Sequence, residues 1–138
     1  MTLSAADRLA IHELISLHGH IADEGGPGQL DRLLTDDAQY DLEDFGMGVV
    51  QGLAALRRLW ERSAVEHPLG HHVTNIVVSE RPEGGAAVRS KGLAVMPDGR
   101  AGTVVYDDIV TMTPLGWRIA RRKVISRRPA PSSPPTTE

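Results

Sequence analysis

HHVTNIVVSE (71–80), AAVRSKGLAVM (86–96), AGTVVYDDIVTM (101–112) and GWRIARRKVISRR (116–128) follow one another with only short breaks. Together they shift the texture to β-branched residues and alternation, so each reads as a strand. Their separators, Pro82-Glu83-Gly84-Gly85, Pro97-Asp98-Gly99 and Pro114-Leu115-Gly116, have the composition of hairpin turns. Four strands joined by three turns make an antiparallel meander.

Upstream of residue 71 the pattern is helical. Ser4 stands three residues before Asp7, an incomplete capping box, with Ala5 and Ala6 behind it. Ile11, Leu14, Ile15, His18, Ile21 and Ala22 then recur at helical spacing as one stripe. Gly25-Gly26-Pro27-Gly28 stops this helix. A turn or short helix over 29–34 and a strand over Ala38–Leu42 follow. A second helix is expected from Leu53 to Val65, burying Leu53, Leu56, Leu59 and Trp60, and His67-Pro68 and Gly70 end it. Helices first and a meander afterwards give an α+β fold in which the sheet curls around the helices. The expected domain is 1–128, with the Pro/Ser/Thr-rich stretch 129–138 as a flexible tail.

Composition narrows the function. The chain of 138 residues has 41% hydrophobic and 24% charged residues, which is ordinary for one globular domain. Fifteen Lys and Arg against eighteen Asp and Glu give a net charge of −3, and only five residues are aromatic. Neither value suits a nucleic-acid platform, although Trp117 to Arg128 is locally basic. The absence of cysteine excludes disulfides, thiolate chemistry and Cys-ligated metals. No apolar run is long enough for a membrane span, and Asp7, Arg8 and Glu13 interrupt any signal-peptide pattern, so a cytoplasmic location is the expectation.

Six histidines invite a metal reading, but their spacing opposes it. His18 and His20 diverge by about 200° on a helix, and His71 and His72 point to opposite faces of a strand. No metal is expected. His18, central in the first helix's stripe, reads as a hydrogen-bonded core histidine or as a pocket residue. Asp23 lies at a helix C-terminus, where the macrodipole disfavours it, so it faces water or needs a partner. In the third strand Asp108 shares the apolar face of Val104, Tyr106, Val110 and Met112 and therefore requires a partner. Alternation in the fourth strand puts Arg121 on the face of Trp117, Ile119 and Ile125. Arg121 is thus the expected partner of Asp108, either structurally or as a binder of a polar substrate group.

Three local motifs in this order resemble the SnoaL-like branch of the nuclear-transport-factor-2-like superfamily. They are DRLAIHELISLHGHIADEG (7–25), DDAQYDLEDFG (36–46) before the helix that opens at Gly52, and HHVTN (71–75). The closing LGWRIARR (115–122) is similar to the family's last strand. The resemblance implies a cone-shaped α+β barrel, with a strongly curved, mainly antiparallel sheet enclosing one pocket. It also implies a dyad in which Asp23 orients His71, the histidine four residues before Asn75. His71, Val73 and Asn75 would then face the pocket.

With that dyad, the expected activity is cofactor-independent proton abstraction from a small hydrophobic, oxygenated molecule, leading to dehydration, isomerisation or elimination. Imidazole titrates near neutrality and gains basicity from a neighbouring carboxylate. The expected substrate-binding set is His18, Tyr40, Trp60, Asn75, Tyr106, Asp108 and Arg121. A polyketide-type cyclase is chemically close to this reading, and a non-catalytic binding or assembly module is the alternative. The resemblance also implies a homodimer. Two positions depart from scytalone dehydratase: Ala22 replaces a tyrosine, and its second catalytic histidine falls at about Lys91.

Overall fold

The computed structural model describes residues 2–62 and 67–127. The expected helix end at Val65 and the tail at 129–138 lie outside them. Helix α1 spans Ala5–His20 and continues as one wider, five-residue turn over Ile21–Gly25. A short 3-10 turn, Pro27–Arg32, leads into β1, Leu34–Asp41. After β2 (Val49–Gln51) and α2 (Leu53–Arg62) come β3 (Gly70–Glu80), β4 (Ala86–Val95), β5 (Ala101–Thr113) and β6 (Gly116–Ser126).

The capping box at α1 is complete. The Ser4 hydroxyl accepts from the Asp7 N–H at 3.0 Å, and the Asp7 carboxylate accepts from the Ser4 N–H at 3.0 Å. These bonds hold Asp7 below the usual carboxylate range. The expected stripe is the buried face of α1: Ile11, Leu14, Ile15 and His18, followed by Ile21 and Ala22. It packs with Leu30, Leu33, Leu56, Val110 and Ile119 into one core.

The six strands form one curved, unclosed sheet in the order β2-β1-β6-β5-β4-β3. Only β1 and β6 run parallel, and the meander β3–β6 is antiparallel throughout. A glycine fixes how α1 meets the sheet. A Cβ on Gly19 would stand 2.8 Å from the carbonyl oxygen of His71, so any larger residue would push α1 off β3.

Two irregularities decide which side chains face inward. In β3, Thr74 pairs with Lys91 and Val77 with Arg89, so Asn75 and Ile76 together oppose Ser90. This is a β-bulge, and Asn75 takes the left-handed conformation (φ 56°), which asparagine tolerates better than most residues. In β6, Arg121 pairs with Ile109 and Ile119 with Val110, which leaves Ala120 as the extra residue. Beyond each bulge the inward and outward positions exchange.

Candidate active site

The bulge at Ala120 corrects the expected Asp108–Arg121 pair. Arg122, not Arg121, points inward beyond it and faces Asp108 directly across the β5–β6 ladder. Nε and Nη2 of Arg122 donate to the two Asp108 oxygens, each at 2.8 Å, and both side chains are fully buried. Burial alone would weaken the guanidinium's hold on its proton, but the Asp108 charge and hydrogen bonds, with Tyr40 and Tyr106, raise its pKa instead. Arg121 lies on the outer side, half exposed, with Nη2 3.6 Å from the Asp41 carboxylate. Met112, expected beside Asp108, is also exposed.

The bulge in β3 corrects a second expectation. Asn75 is exposed rather than in the pocket, and Ile76 takes the inward position. The asparagine of HHVTN therefore serves the backbone turn. His71 and Val73 lie before the bulge and keep the expected inward phase.

A cavity of about 480 Å³ opens between the sheet and the helices. Its wall includes the expected His18, Tyr40, Trp60, His71 and Tyr106, together with Arg122 and His67. Apolar side chains, among them Leu42, Phe45, Met47, Leu59 and Val124, supply most of the remainder. The size and the few polar groups on an apolar lining are those of a small-molecule site. Asp108 and Arg121 are not in this wall. Lys91 lies on the outer strand face, between the inward Ser90 and Gly92. Gly92 leaves room for an aromatic ring, since a Cβ there would stand 2.6 Å from Tyr106.

Asp23 sits in the wide turn that ends α1, and its carboxylate takes three contacts from His71. The backbone N–H of His71 reaches Oδ1 and Oδ2 at 3.0 and 3.1 Å, and ring Nδ1 lies 2.7 Å from Oδ1. A carboxylate accepts only, so Nδ1 carries the hydrogen in the neutral ring and Nε2 keeps its lone pair. The backbone bonds fix the carboxylate and the ring bond fixes the tautomer. These contacts also compensate a negative charge at a helix end.

One transverse row of the sheet carries Tyr40, Arg122 and Asp108 side by side. His18 Nε2 is 2.8 Å from the Tyr40 hydroxyl, and both side chains are buried. Burial, with the charge of Arg122 and a smaller effect of His71, keeps His18 well below the usual imidazole pKa, so it is neutral. Burial likewise raises the Tyr40 hydroxyl, which stays protonated. The Arg122 guanidinium lies 4.0 Å from the centre of the Tyr106 ring, a cation–π contact.

The sequence reading missed Arg122 and His67 as wall residues. In β6 both Val124 and Ile125 are apolar, so alternation gave no clear sign of the extra residue. His67 carried no sign either. Among the described residues, no three His, Asp or Glu side chains are placed to hold a metal ion.

The SnoaL-like domain pattern matches residues 4–123. The chain belongs to the SnoaL-like domain family. No curated protein matches it in sequence. Among solved structures it is similar to a candidate aromatic ring hydroxylase from Novosphingobium aromaticivorans, with 28% identity over 93% of this chain and 94% of that one (TM-score 0.75). It is also similar to a candidate scytalone dehydratase from the same species, with 20% identity over 96% and 95% (TM-score 0.71). LinA shares 20% identity over 94% and 95% (TM-score 0.69). At those last identities the likeness is one of fold. No helix among the described residues is long and apolar enough to cross a membrane.

Proposed function

We propose that the protein is a cofactor-independent lyase or isomerase-type enzyme in which His71 removes a proton from a small, largely apolar, oxygenated substrate. The observation that carries this reading is the Asp23–His71 pair, whose imidazole lines the cavity while its ring Nδ1 is held by the carboxylate at 2.7 Å. His71 Nε2 is the lone-pair nitrogen left for the substrate. When it takes a proton, the imidazolium forms beside a fixed negative charge, which lowers the cost of the transfer.

Abstraction next to a carbonyl sends charge to the carbonyl oxygen. Tyr40 and Tyr106 supply hydroxyls in the same wall, and the buried charge of Arg122 lies beneath Tyr106. The names of the similar structures point to different reactions, a hydroxylase and a dehydratase, so this reading rests on the dyad and not on them. No step of it requires a cofactor.

Exchange of the α-hydrogens of 4-phenylbutan-2-one for deuterium, followed by NMR in D2O, tests it. Wild-type protein should accelerate exchange, and Asp23→Asn and His71→Ala should each lower the rate about 100-fold or more. Equal rates in all three proteins would remove the proposed base.

A further inference from the structure

His67 is a ring in the cavity wall that the dyad does not use. Its position follows from the wide turn at Ile21–Gly25. There the Gly26 N–H bonds the Ile21 carbonyl at 3.1 Å, a step of five residues. The same step from Ala22 reaches Pro27, which has no N–H to give. His67 Nε2 fills the gap and lies 2.6 Å from the Ala22 oxygen. A carbonyl only accepts, so Nε2 carries a hydrogen and Nδ1 is the nitrogen free to gain or lose one.

That ring stands next to His71, with centroids 5.5 Å apart and planes tilted by 60°. His67 also borders a second cavity of about 260 Å³, whose wall includes Asp23 and Glu24. Among the described residues, the titratable groups around His67 are these two carboxylates, His71 and, across the larger cavity, His18, Tyr40, Tyr106 and Arg122. Gaining or losing the Nδ1 proton leaves the bond to Ala22 intact, so the ring can cycle without releasing the turn.

Resting on the proposed base, we infer that His67 is the acid of the same reaction, and that the substrate is a β-hydroxy carbonyl compound which loses water. His71 Nε2 takes the proton from the carbon next to the carbonyl, and the C–H electron pair forms the new C=C bond. The C–O bond breaks with its pair on oxygen, and His67 Nδ1–H protonates that oxygen, so water leaves. The proton on His71 then passes to His67, directly or through a water, and restores both rings. Protons and electrons balance, and no co-reactant is consumed.

The test compares 4-hydroxy-4-phenylbutan-2-one with its O-acetyl ester, both giving an enone followed by absorbance. Acetate leaves without a proton, whereas hydroxide does not. His67→Gln places an amide N–H where Nε2–H was, so the turn keeps its bond while the acid is lost. The alcohol-to-ester rate ratio should fall about 100-fold in this variant. A ratio unchanged by His67→Gln, because both substrates slow equally or neither slows, overturns the inference. In neutral wild-type protein, ¹⁵N spectra should find the His67 hydrogen on Nε2, and a hydrogen on Nδ1 would equally overturn it. Absence of exchange with 4-phenylbutan-2-one would instead indict the dyad. Exchange without any elimination from the alcohol indicts His67 alone.

Discussion

Asp23–His71 and Asp108–Arg122 are both carboxylate–base pairs built around one cavity, yet their surroundings differ. Both side chains of the first pair are 22% exposed, at the junction of the turn that ends α1 and strand β3. Both side chains of the second are sealed, deep in the sheet. An imidazole gains and loses a proton near neutral pH, whereas a guanidinium does not. The first pair can therefore do chemistry, and the second supplies a fixed charge and holds the strands in register. The difference shows that pairing alone does not mark a catalytic group. The partner's proton affinity and its access to the cavity do.

The pairs should separate most sharply under mutation. Asp108→Ala leaves the Arg122 charge buried and alone, and unfolding in urea should show a loss of about 3–5 kcal/mol. Replacing both partners, as Asp108→Leu with Arg122→Met, should recover most of that loss. A single substitution costing under about 1 kcal/mol would mean that the pair is more hydrated than its burial implies. By contrast, Asp23→Asn should change stability by only about 1 kcal/mol or less, since its pair is partly exposed. Its effect belongs in the exchange rate.

His18 sharpens the comparison through pH. Its pKa is lowered by folding, so the unfolded chain takes up a proton near pH ~6.5 that the folded protein refuses. The stability tied to this neutral ring is complete above that pH. It is lost as pH falls below it, by up to about 1.4 kcal/mol per pH unit. Urea midpoints at pH 7 and 5 should show the fall, and His18→Phe should flatten it. An identical slope in the variant would mean that His18 charges within the fold.

Two smaller effects probe the strands that carry the pairs. Asn75→Val forces a branched residue into the left-handed region and should cost about 1–2 kcal/mol in thermal or urea unfolding, whereas Asn75→Gly should be near neutral. The Ser90 hydroxyl is buried without a hydrogen-bond partner among the described residues. Ser90→Ala should therefore be neutral or stabilising by up to about 1 kcal/mol, and a clear loss would reveal a partner such as an ordered water.

The same pairs show how far the sequence could be read. Helical spacing and turn composition were enough for α1, the meander and the α+β architecture, because both are local signals. The Asp23–His71 contact joins residues 48 apart and came from the family resemblance, since alternation alone left His71 and His72 equivalent. Asp108 correctly demanded a partner, but counting by twos through Ala120 selected Arg121. One inserted residue reversed the phase. The same error placed Asn75 inside, although the apolar phase of β3 changes between Val73 and Ile76. His67 was hidden because its role depends on a carbonyl orphaned by Pro27, which no periodicity reports.

The central claim is that Asp23 holds His71 in one tautomer, with Nε2 bare toward the cavity. Long-range ¹H–¹⁵N spectra of the neutral His71 ring read this directly. In wild-type protein the hydrogen should sit on Nδ1 alone, and Asp23→Asn should yield a mixture or the opposite tautomer. A wild-type ring carrying its hydrogen on Nε2, or one indifferent to Asp23→Asn, would contradict the account.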